Sequence, residues 1–248
     1  MKSAYVLLAA AALMLPSAAC NAEKGTDSTA NSSATPIKPI APPAGGDWTK
    51  MVTNTPQGGV LMGNPNADVK IVEYGSLTCP HCAEFAEKGA PKLIDNYVKT
   101  GRVSYEFRNF LRDGLDMALS LVAHCAGPEK FFPLSDAMFK SQREFFERAQ
   151  AATPEQQQAL QASPSPQLFA DLAGVQQWAA QRGVPSARSS ACLANQNLQN
   201  QLMQTSSDAT TQFPEFSGTP TFILNGEQLK QTATWDKLEP AIRDALGS

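Results

Sequence analysis

Cys79 and Cys82, in the run Ser76-Leu77-Thr78-Cys79-Pro80-His81-Cys82, are the residues best suited to chemistry in this chain. Two cysteines separated by two residues can close a disulfide across one helical turn and open it again. Pro80 suits the first helical position, where its missing N–H costs nothing and its φ is already helical. Cys79 then occupies the N-cap, where unpaired backbone N–H groups and the positive end of the helix dipole favour a thiolate over a thiol. His81 can add an N–H donor or a positive charge beside that sulfur. Cys82, one turn on, points inward as the shielded partner.

Other uses of the pair are weaker. A closed zinc site needs four ligands, usually from a second Cys pair or a His pair. The other cysteines here stand singly, and the only other histidine is His124, so no metal is expected. An inert structural bridge fits poorly with placement at a helix start.

The elements that must hold the motif are legible on either side. Val69 to Tyr74 alternates as a strand, and Phe85, Ala86, Leu93, Ile94, Tyr97 and Val98 recur at helical spacing up to a stop at Gly101. Pro91 should kink or interrupt that helix. Val103 to Phe110 reads as the next strand, parallel to the first through a right-handed crossover. Gly59 to Met62 is a short candidate strand. From Leu111 to about Phe216 the pattern turns helical, with expected helices at 115–126, 128–148, 166–181 and 185–211, and Pro128, Pro166 and Pro185 at helix openings. Gln156-Gln157-Gln158 reads as part of an exposed elaboration without chemistry. Thr219 to Leu224 is a strand, Asn225-Gly226 a hairpin turn into Glu227 to Lys230, and Trp235, Leu238, Ile242 and Leu246 form one face of a closing helix.

The chain resembles the DsbA family of thioredoxin-fold disulfide oxidoreductases. The likeness lies in Val72-Glu73-Tyr74-Gly75-Ser76-Leu77-Thr78-Cys79-Pro80-His81-Cys82, in Tyr105-Glu106-Phe107-Arg108-Asn109-Phe110 and in Ser217-Gly218-Thr219-Pro220-Thr221-Phe222. It implies an α/β, thioredoxin-like fold with a large all-helical insertion of four or five helices, at about 111–217. It implies a cis Pro220 packed against the disulfide, with Thr219 tuning the site and pairing with extended substrate. It also implies that Glu73 is a buried acid able to relay a proton to or from Cys82. A branch of the family carries a second bridge, and Cys125 and Cys192 match its positions; with Cys20 set aside, four cysteines remain, an even number suited to an oxidising compartment. His124 reads as a helix residue bonded to water or backbone.

Met1-Lys2 and the apolar run from Ala4 to Leu15 read as a signal peptide, too short to span a bilayer. Cleavage near residue 19 would leave either an ordinary exported protein or, because the stretch also resembles a lipobox, a lipoprotein anchored through Cys20; the lone cysteine favours the second. Residues 20–47 read as a disordered tether reaching roughly 30 Å, and 48–248 as one domain. The 248-residue chain is 42% apolar with a formal charge of −3, which supports a core and argues against nucleic-acid binding.

The expected function is donation of the Cys79–Cys82 disulfide to reduced client proteins in the bacterial periplasm. The redox-active disulfide takes the place of a cofactor, the protein is expected to be a monomer, and the resemblance implies reoxidation by a quinone-linked, DsbB-like membrane partner. An isomerase or reductase using the same cysteines, and a non-enzymatic anchored binding or chaperone module with a structural disulfide, are the alternatives.

Overall fold

In the computed structural model, residues 38–248 are described. The signal-peptide, Cys20 and most of the tether expectations lie outside them. Six strands form one sheet: β1 (Val52–Asn54), β2 (Val60–Gly63), β3 (Val69–Gly75), β4 (Val103–Asn109), β5 (Thr221–Leu224) and β6 (Glu227–Gln228), in the order β1-β2-β4-β3-β5-β6. Only β3 and β4 are parallel, with Glu73 opposite Phe107. They are joined through α1 (Pro80–Lys88) and α2 (Ala90–Asn96), the crossover a parallel pair requires. Pro91 sits at the start of α2, and the chain breaks at Gly89, so the interruption expected from Pro91 is placed two residues ahead of it.

Alternation along β3 divides the core. Val69 and Ile71 join the main cluster, while Tyr74 faces a smaller one with Ala209 and Ile223, edged by Phe213 and Phe216. Glu73 is therefore an acid on the main-core side, 1% exposed. Phe85 of α1 meets Phe222 of β5 with ring centroids 4.7 Å apart. Each such fully buried aromatic contributes about 1.5–3 kcal/mol, and together they press the first turn of α1 onto the sheet. The closing helix, α11 (Trp235–Leu246), buries Trp235, Leu238 and Ile242 as its periodicity requires.

Between β4 and β5 the regular elements are all helices: α3 (Gly114–Cys125), α4 (Pro128–Lys140), α5 (Gln142–Gln150), α6 (Pro154–Ala162), α7 (Pro166–Ala173), α8 (Val175–Ala180), α9 (Ser186–Leu193) and α10 (Gln196–Gln212). That is eight segments rather than the four or five expected. Each of the three long expected helices is split: at Ser141, at the left-handed Gly174, and at Ala194 before the N-cap Asn195. The Gln156-Gln157-Gln158 stretch lies in α6, exposed but closed by a Thr153–Gln156 capping box. The tether is also shorter than expected, because the Ile40 amide bonds the Thr100 carbonyl at 2.7 Å and the Trp48 indole bonds the Ile40 carbonyl at 2.7 Å.

Candidate active site

The strand β3 ends at Gly75, and residues 76–79 turn the chain into α1 with Cys79 at its N-cap (φ −90°, ψ 122°) and Pro80 at its first position. Cys79 and Cys82 are unbridged, and both are shielded, at 4% and 0% exposure. The Thr219–Pro220 peptide bond is cis, and the Thr219 carbonyl accepts from the Cys79 thiol at 3.1 Å. That contact serves the neutral thiol only. Once the proton leaves, the anion is held by the Cys82 thiol, the Thr219 hydroxyl and the N–H groups of Cys82 and His81, which outweigh burial and bring the Cys79 pKa down to about 5. His81 is exposed and contributes its backbone N–H; among the described residues its ring has no hydrogen-bond partner.

The partner sulfur is pushed the other way. Burial first, then its bond to Cys79 and the charge of Glu73, raise the Cys82 thiol well above its ordinary value, against a weak backbone contact from Ser76 N at 3.5 Å. Beneath it, burial pushes Glu73 up to about 8, although the Tyr105 hydroxyl donates to Glu73 Oε2 at 2.6 Å and favours the carboxylate. One thiolate at Cys79, one retained thiol at Cys82 and one protonated acid at Glu73 therefore differ in proton affinity in turn, a gradient suited to moving one proton as a disulfide opens and closes.

Four further residues, none singled out by the sequence reading, hold the loop from the helical side. Asp116 of α3 accepts from the Ser76 hydroxyl at 2.6 Å and the Leu77 amide at 2.9 Å. Asp113 caps α3 and also accepts from the Thr78 hydroxyl at 3.2 Å. Arg112 Nη1 donates to the Thr78 carbonyl at 2.9 Å. Gln142 of α5 donates from one amide nitrogen to the carbonyls of Leu77 and Cys79, at 2.9 and 3.1 Å. Side chains of the insertion thus satisfy polar groups of a buried turn that lie outside the sheet's own hydrogen bonding. Burial raises Asp116 to about 7 despite these donors. A signal for it existed: an acid inside the apolar run Leu115 to Val122 is as anomalous as Glu73 in its strand.

The second cysteine pair lies apart from this arrangement. Cys125 at the end of α3 and Cys192 in α9 are bridged, with Cα atoms 5.9 Å apart across 67 residues. His124 bonds the side chain of Asn109 at 2.9 Å, a side-chain partner where a backbone or water contact is expected from sequence, and burial lowers its pKa to about 4. No cluster of metal-ligating side chains and no helix long and apolar enough to cross a membrane is found among the described residues.

A thioredoxin family model matches residues 55–244. A solved structure described as a protein-disulfide isomerase from Novosphingobium aromaticivorans is 32% identical, with a TM-score of 0.71 over 77% of this chain and 98% of that one. The Wolbachia pipientis protein α-DsbA1 shares the fold at 22% identity, with a TM-score of 0.60 over 75% of this chain and 90% of its own. A Rickettsia prowazekii protein provisionally named a protein-disulfide oxidoreductase is 24% identical over 80% of this chain, which spans 65% of that relative's length. With a family match over more than half its length, a cis-proline beside a helix-capping cysteine pair and a helical insertion between β4 and β5, the chain belongs to the thioredoxin family, as a DsbA-like member.

Proposed function

We propose that this protein is a thiol:disulfide oxidoreductase whose forward reaction donates the Cys79–Cys82 disulfide to reduced client proteins. A client thiolate attacks Cys79 Sγ and forms a mixed disulfide. The Cys79–Cys82 bond breaks, and Cys82 takes its proton from Glu73, which at neutral pH is the protonated acid beneath it. A second client thiolate then attacks the client sulfur of the mixed disulfide and displaces Cys79 as a thiolate. The client loses two electrons and gains a disulfide, and the cysteine pair is left reduced. An oxidant must restore it; a quinone-linked membrane partner is the class the family resemblance implies.

The observation that carries this reading is the depressed Cys79 thiol, about 5 against an ordinary 9. At pH 7 such a shift favours the reduced state by roughly 3 kcal/mol, or roughly 60 mV in the two-electron couple. The folded pKa is the lower one, so this advantage is lost as pH falls through about 5 and grows as pH rises toward 9. Equilibration with glutathione buffers tests it: a potential well above that of thioredoxin supports donation, and one near about −270 mV points to a reductase.

The likeness to a structure described as a disulfide isomerase favours isomerisation as the second reading. Reactivation of a scrambled, fully oxidised client without added oxidant separates the two. A binding module with an inert bridge would bind clients but not oxidise them, and Cys79→Ser would leave it unaffected. For placement we propose export to the periplasm with attachment through Cys20, tested by transfer of the wild-type protein, but not Cys20→Ala, into a detergent phase.

A further inference from the structure

Ser76, the first residue past β3, touches both reactive cysteines through its backbone. Its amide points at Cys82 Sγ, 3.5 Å away, and its carbonyl accepts from the Cys79 amide at 3.1 Å. The strand ends one residue earlier, where the Gly75 carbonyl takes the Phe110 amide at 2.8 Å, so the Ser76 amide has the sulfur as its partner instead. Ser76 and Cys82 are both 0% exposed, and bulk water does not reach this contact.

The donor is held firmly in place. The Ser76 hydroxyl donates to Asp116 Oδ2 at 2.6 Å, Asp116 Oδ1 takes the Leu77 amide at 2.9 Å, and the Thr78 amide donates to the Ser76 hydroxyl at 3.2 Å. Asp116 is itself buried and also accepts from the Arg112 amide at 3.1 Å. A short bond from a hydroxyl to a carboxylate is among the stronger kinds. A donor fixed before charge appears needs no reorganisation when it does. At Cys82, burial, the bond to Cys79 and the charge of Glu73 all oppose an anion, whereas the Ser76 N–H favours it.

We infer that the Ser76 amide is the donor that steadies the Cys82 thiolate while the disulfide opens or closes, and that Asp116 is the positioning residue that keeps it aimed. When a client thiolate breaks the Cys79–Cys82 bond, the electron pair leaves on Cys82 Sγ and rests against the Ser76 N–H until Glu73 gives up its proton. In closure the same anion forms again: the Cys82 proton passes to Glu73, and the thiolate attacks Cys79 Sγ and expels the thiolate bound there. Cys79 is thus served from the cis-proline side and Cys82 from the insertion. This rests on the oxidoreductase reading and assigns the shielded half of its chemistry.

Mixing the reduced full chain with excess oxidised glutathione separates the two sulfurs. Cys79 attacks first, forming a mixed disulfide and releasing one glutathione thiolate. Cys82 then closes the protein disulfide and releases the second, so the protein loses the two electrons that glutathione gains. Acid quenching and mass spectrometry resolve the steps. Asp116→Ala is expected to slow closure about tenfold, the low end for a hydrogen bond to a charged group, and the first step roughly fivefold less than that. Asp116→Asn keeps an acceptor for the Leu77 amide and is expected to recover most of the loss. Because Asp116→Ala leaves buried donors unpaired and can unfold the turn, a further measurement leaves Asp116 intact. With Cys79 alkylated, nitrogen–proton spectra follow the Ser76 amide as Cys82 is titrated, and a downfield move with the thiolate's own midpoint is expected. Equal slowing of both steps, unchanged closure in folded Asp116→Ala, closure in Asp116→Asn faster than wild type, or a Ser76 amide that ignores the titration would each overturn the inference. Wild type that forms the mixed disulfide but never closes would instead count against the oxidoreductase reading, and the Ser76 spectra would then decide the inference.

Discussion

Two cysteine pairs share one chain and differ in what surrounds them. Cys125 and Cys192 sit on two helices of the insertion, 67 residues apart in sequence and bridged. Cys79 and Cys82 sit one turn apart, unbridged, at a helix start packed between a cis-proline loop and a buried acid. The first pair joins what folding has already placed. The second is placed where each sulfur has a different proton affinity, and that asymmetry separates a reactive bond from a structural one.

Removing one sulfur from each pair sharpens the contrast most. Cys79→Ser is expected to abolish oxidation of a dithiol peptide outright, and to remove from the reduced protein the stability its thiolate supplies at pH 7; residual turnover would break the assignment. Replacing Cys125 and Cys192 together with serine should spare the chemistry. Denaturant unfolding should fall by up to about 4 kcal/mol, the chain-entropy value for a loop of this length, with the Cys79–Cys82 potential unmoved.

Glu73→Gln probes the acid beneath the reactive pair. In the native protein Glu73 holds its proton to about 8, whereas the unfolded chain releases it near 4.5. The native state therefore binds more protons between those values, and wild-type stability from this group declines as pH rises through that window. The glutamine variant lacks the decline, so its advantage over wild type should grow from pH 4.5 upward to about 3 kcal/mol at pH 7, with slower turnover. A stability difference that does not vary with pH would contradict the protonated acid.

The smallest effect is expected from the far side of the loop. Gln142→Leu leaves the Leu77 carbonyl unpaired and removes one of two donors to the Cys79 carbonyl, which the Ala83 amide also reaches at 3.1 Å. It should cost about 1–2 kcal/mol and raise the Cys79 pKa, read by thiolate absorbance. An unchanged pKa would show that the insertion supports the fold without tuning the sulfur.

Much of this site could be read from local pattern. Cys79 with Pro80 announces a helix start, Thr219-Pro220 opens a strand, and Val69 to Tyr74 alternates. What stayed hidden depends on distance along the chain. Asp116 and Gln142 reach the loop from 39 to 65 residues away, and nothing in a local window says which turn they hold. The breaks at Ser141 and Ala194 were missed because the apolar rhythm continues across them, while α6 was missed because it buries nothing and so has no rhythm at all. Its capping box was the available signal. Pro133 and Pro240 lie inside helices without ending them, as the expected helices through both positions allow.

The most direct test is a pH titration of the Cys79 thiolate in the reduced protein, followed by its ultraviolet absorbance with Cys82 left in place. A midpoint near 5 is expected from the donors that surround the sulfur. A midpoint near the free-thiol value of about 8.5 would contradict the account, because the anion would then gain nothing from its position and the disulfide no tendency to be given away.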